Sequence, residues 1–134
     1  MWNLIGVSAA GNILLVLFGM LFVFHLLVLT GVIPYNIVWA GKIANKTDLI
    51  KMETISFLVL ILASLVITLR MEYLRLGISP SITRIGIWIL FVFFVLNTLG
   101  NLTAVNPIEK YGFGLLTILI SILLLKLAIG QHKG

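Results

Sequence analysis

A histidine, a glutamate and two asparagines stand within or at the edges of long apolar runs: His25, Glu53, Asn97 and Asn101. Polar groups are costly in a hydrocarbon environment, so each needs a partner or a purpose. An imidazole exchanges protons near neutral pH, with an unperturbed pKa of about 6.5. A carboxylate at Glu53 would supply negative charge for a cation. Asn97 and Asn101 are four residues apart, which puts both amides on one face of a helix. Ser56 lies one turn deeper than Glu53, and Trp39 stands in the segment that precedes it. Together these side chains would suit a polar pocket for a small polar or cationic solute, or for a proton.

The elements that must position them are membrane-spanning helices. The chain has 134 residues, of which 61% are hydrophobic and 10% charged. A soluble domain carries about 25% charged residues, so this chain cannot clothe a globule in a polar skin. The expected fold is all-α: a polytopic membrane protein, an antiparallel up-down bundle of four transmembrane helices in a single domain over 1–134. A span needs roughly 20 apolar residues. The runs predict helices over 5–33, 48–73, 79–104 and 107–129. Pro34 disfavours helical geometry at Ile33 and so ends the first helix there. The first run is retained as a helix, because the small residues Ser8, Ala9, Ala10 and Gly11 precede most of it, whereas a signal-peptide cleavage site would follow it.

Asp48 is the expected N-cap of the second helix, and Ser79 with Pro80 behind it caps the third. Asn106-Pro107-Ile108-Glu109 resembles a capping box, which assigns Glu109 to a helix end. The uncharged stretch of the second helix is short, so Glu53 and Arg70 should sit near the hydrocarbon edges. His25 then lies about 12 Å of helix rise, and Asn97 roughly 10 Å, from the ends of their helices on the same side of the membrane. The small-residue spacing Gly6-x-x-x-Ala10 permits close helix approach and a homo-oligomer.

Four spans put both termini on one side. Arg70, Arg75, Arg84, Lys126 and Lys133 share that side, against Lys42, Lys46, Lys51 and Lys110 on the other. Five basic residues against four favour termini in the cytoplasm of a bacterial inner membrane, with the opposite topology and a dual topology of antiparallel dimers also open. The net charge of +5 comes from residues at the ends of apolar runs, where they meet lipid headgroups, so the partner is the bilayer and not nucleic acid. Cysteine is absent, which excludes disulfides and thiol chemistry. The two histidines, His25 and His132, fall at opposite ends of the bundle and cannot share a zinc or a haem. No cofactor and no metal site is expected.

The stretches Gly31-Val32-Ile33-Pro34-Tyr35-Asn36-Ile37-Val38-Trp39 and Asn97-Thr98-Leu99-Gly100-Asn101-Leu102 resemble segments of small bacterial four-helix membrane proteins of similar length. The resemblance implies the four-helix fold and brings no activity with it. Small multidrug resistance exporters carry a membrane-embedded glutamate in their first helix, where this chain has no acid. The glycine-arginine and threonine-phenylalanine signatures of small fluoride channels are likewise missing. Three roles remain open at this level. The pocket binds or passes a solute; the polar groups only lock helices in a structural or accessory subunit; or His25 and Glu53 act as acid and base on a lipid substrate. The last has no recognisable catalytic set behind it.

Overall fold

The computed structural model describes residues 5–37 and 42–130. It is all-helical, with no strand among the described residues. Helices α1 (Val7–Leu29), α2 (Lys46–Arg70) and α3 (Pro80–Leu102) are followed by a π-helical turn (Ile108–Phe113) that leads into α4 (Gly114–Ile129). Four helical segments are long and apolar enough to cross a membrane, the fourth being the π turn and α4 together, Ile108–Ile129. The chain is a multi-pass membrane protein. Each helix packs against the next, and α4 closes the bundle against α1, with the most extensive contact between α3 and α4.

The helix ends differ from those expected, for local reasons. α1 stops at Leu29, not at Ile33, because Gly31 turns the chain into the left-handed region at φ +85°. The amide of Thr30 closes on the Leu26 carbonyl, Gly31 on Val28 and Ile33 on Leu27, so the last carbonyls of the helix are satisfied before Pro34 is reached. α2 begins at Lys46 because Asn45, not Asp48, is its N-cap. The Asn45 side chain accepts the Asp48 amide at 2.8 Å. α2 ends at Arg70 instead of Tyr73, since Glu72 takes a positive φ of 61°. Ser79 caps α3 as expected, accepting from the Ser81 amide, with Pro80 at the first helical position. α3 ends at Leu102, two residues short of the expected end.

The main core fills one half of the bundle, while in the other half a smaller cluster of Val28, Ile43 and Leu49 lies beside a cavity. Leu14, Phe18, Ile67, Ile87, Ile120 and Leu124 form a continuous buried cluster across all four helices. In that half α2 and α3 touch closely: Val66 lies 2.9 Å from where a Cβ on Gly86 would stand. Gly11 likewise admits the Met71 thioether against α1. The buried Arg70 guanidinium, at the last residue of α2, closes the end of α4. Its Nε donates to the Leu127 carbonyl at 3.2 Å and its Nη2 to that of Gly130 at 2.7 Å. Those carbonyls have no partner within the helix, so the cation satisfies them and opposes the negative end of the helix dipole. Asn12 accepts from the Tyr73 hydroxyl at 2.5 Å, tying α1 to the turn after α2.

Candidate functional site

About 16 Å along α3 from Gly86, at 1.5 Å per residue, the same helix face reaches Asn97 and a cavity. This cavity has a volume of about 680 Å³, within the range of about 300–1,000 Å³ typical of small-molecule pockets. Its floor is apolar. Phe94 of α3 stacks on Phe18 of α1 with centroids 5.6 Å apart, and Leu21, Val59 and Leu60 complete the base. Its polar residues gather toward the end where α1 finishes and α2 begins: His25, Lys42, Ser56, Asn97, Asn101, Glu109 and Thr117.

His25 comes from α1 and lines the cavity. Its Nδ1 lies 2.6 Å from Glu53 Oε2 on α2, linking residues 28 apart in sequence. With the carboxylate as acceptor the proton between them sits on Nδ1, and in the neutral imidazole Nε2 then carries a lone pair toward the cavity. Phe24 and Phe57 meet the imidazole edge-on and fix its plane. Glu53 itself is fully buried, at 0% exposure, and sits behind the histidine instead of in the cavity wall. Its second oxygen, Oε1, has no hydrogen-bond partner among the described residues. Such an orphaned atom is costly when buried. Ser56, one turn along α2, lines the cavity while its hydroxyl donates to the Met52 carbonyl.

The α3 amides form a relay. Asn101 Nδ2 donates to Asn97 Oδ1 at 3.2 Å and approaches Thr117 Oγ1 of α4 at 3.4 Å. Asn101 Oδ1, Asn97 Nδ2 and His25 Nε2 have no hydrogen-bond partner among the described residues. The site therefore presents two acceptors and one donor from α1 and α3. Asn97 is exposed and stands at the lip of the cavity.

Of the residues singled out in the sequence, the fold brings His25, Ser56, Asn97 and Asn101 to one cavity and puts Glu53 directly behind His25. Trp39 lies outside the described residues. Glu109 is placed differently from the expectation of a helix cap. It is buried and lines the cavity, while Asn106 Oδ1 takes the Ile108 amide at 2.8 Å. Glu109 and Phe113, both on the π turn, line the cavity, and such turns recur at functional sites. Thr117 and Phe113 were also missed, being unremarkable in an apolar run. Among the described residues no three His, Cys, Asp or Glu side chains come together as a metal site.

Comparison with protein-family models, with curated proteins and with solved structures finds no match for this chain. The class of protein is therefore defined by its own fold and site: a small four-helix membrane bundle holding a polar-capped intramembrane cavity.

Proposed function

We propose that this protein binds, and can pass across its half of the bilayer, a small solute with a cationic or hydrogen-bond-donating head. The observation that carries this reading is the meeting of His25, Asn97 and Asn101 around one cavity, with the Glu53 carboxylate braced against the histidine. A helix-locking role would satisfy these groups against neighbouring helices. Here three of their polar atoms remain without a protein partner among the described residues. With its Nδ1 engaged by Glu53, the neutral histidine offers Nε2 as an acceptor, which matches a donor N–H or O–H on the solute. We place the chain in a bacterial inner membrane with both termini cytoplasmic, following the bias of basic residues.

The test is thermal stabilisation of the purified protein by a panel of small amines and alcohols, with flux into proteoliposomes measured in parallel. Asn97→Ala, Asn101→Ala and His25→Gln should each remove the response while the protein still runs as a folded species. An undiminished response in all three would reject the pocket. The His25–Glu53 contact also favours a second reading, in which the carboxylate orients a general base for a lipid-modifying reaction. That reading requires product formation in reconstituted membranes that is lost in Glu53→Gln.

A further inference from the structure

The cavity is not sealed from the lipid. On α3, Phe93, Leu96, Asn97 and Gly100 line it and are exposed as well, at the spacing of one helix face. Across from them Ile55 of α2 does the same. The mouth therefore lies between α2 and α3, which meet at Gly86 and Val66 and bound an open cavity further along. The gap runs from Phe93 to Gly100, about 10 Å of helix rise.

The cavity also has a direction. Its apolar floor of Leu21, Val59, Leu60 and Phe94 lies toward the bundle centre, and its polar end lies where the helices end. A lipid of the adjacent leaflet has the same polarity, with its head at the interface and its chain toward the midplane. Lys42, exposed at the polar end, offers a cation to an anionic group. Deeper in, Asn101 Oδ1 is an acceptor, and so is His25 Nε2 in the neutral imidazole. The titratable groups around the cavity are His25 on α1, Lys42 before α2, Glu53 of α2 behind the histidine, and Glu109 on the π turn; α3 contributes only amides.

Building on the binding role proposed above, we infer that the occupant is a membrane lipid with a primary-amine head and an anionic phosphate. It reaches the cavity sideways through the gap between α2 and α3. Its phosphate meets Lys42 and the Asn97 amide at the mouth, and its ethanolamine arm folds back from there into the cavity, where the ammonium donates to His25 Nε2 and Asn101 Oδ1. The chain lies along the apolar floor and out through the mouth. An N–H donor is required, because a quaternary ammonium has the same charge and no hydrogen to give.

The experiment compares two lipids that differ in that respect alone. The full chain is reconstituted in vesicles of equimolar dioleoyl phosphatidylethanolamine and dioleoyl phosphatidylcholine, extracted gently, and its bound lipid counted by native mass spectrometry. Two extra hydrogen bonds to the head correspond to about a tenfold preference for the ethanolamine lipid. Asn101→Ala and His25→Gln should each reduce that preference to about threefold, and the double variant to near unity. A diazirine-tailed ethanolamine lipid should label the segments holding Ile55, Phe93 and Leu96. Equal retention of the two lipids would mean ordinary boundary lipid only and would overturn the inference. Ethanolammonium ion alone, binding as tightly as the lipid, would also overturn it while leaving the solute-binding role in place. If neither lipid nor any small amine responds to the variants, both readings fall.

Discussion

Replacing His25 by leucine isolates what its contact with Glu53 is worth, and the structure sets the expected size. Glu53 is fully buried, its Oε1 has no partner among the described residues, and its Oε2 is held by His25 at 2.6 Å. His25→Leu strands the carboxylate, a change that costs about 3–5 kcal/mol for a broken buried pair. Glu53→Met removes the acceptor from a histidine that is 16% exposed, and costs about 1.5–3 kcal/mol for one hydrogen bond to a charged group. The double variant has neither group. Leucine and methionine there can pack among Phe24, Phe57 and their neighbours, and replacing a buried pair with apolar side chains is often neutral. The double variant should thus be at least about 2 kcal/mol more stable than His25→Leu alone. The assay is equilibrium unfolding in mixed micelles by titration with sodium dodecyl sulfate, read by far-ultraviolet circular dichroism. Additive losses, with the double variant weaker than either single one, would refute the pairing.

Further substitutions probe the rest of the framework. Arg70→Met removes two donors from the α4 carbonyls of Leu127 and Gly130 and should cost about 2–4 kcal/mol in the same titration, with Arg70→Lys intermediate. Asn45→Ala should cost about 1 kcal/mol through loss of the α2 cap, and Asp48→Ala clearly less. Gly11→Ala places a Cβ within 2.5 Å of the Met71 sulfur and should destabilise by about 1–3 kcal/mol, relieved when Met71→Ala is added.

The bundle was legible because span length is a coarse constraint: four apolar runs of about twenty residues admit few other folds in lipid. Counting rise per residue put His25 and Asn97 toward the same end of the bundle, but α1 ends at Leu29 and α3 at Leu102, so the expected distances of about 12 and 10 Å from the helix ends shrink to about 6 and 8 Å. Other features depend on conformations that composition does not reveal. Gly31 stops α1 before Pro34 can, and Glu72 ends α2 in a backbone region that a glutamate seldom takes. Glu109 falls in a pattern that spells a helix cap, yet it stands buried on the π turn in the cavity wall. Arg70 has a long stem, so its sequence position fits a side chain reaching for the interface as well as one turned inward to α4. That Glu53 stands behind His25, not beside it in the cavity, depends on how α1 and α2 are rotated against each other, which no single helix pattern specifies.

The most direct measurement is nitrogen-15 magnetic resonance of histidine-labelled protein in bilayers, where His25 and His132 give separate signals. Glu53 should hold the proton of His25 on Nδ1, and the unprotonated Nε2 resonance should shift when phosphatidylethanolamine replaces phosphatidylcholine. A proton found on Nε2 with Nδ1 bare, or a His25 signal indifferent to the lipid head and to Asn101→Ala, would contradict the account.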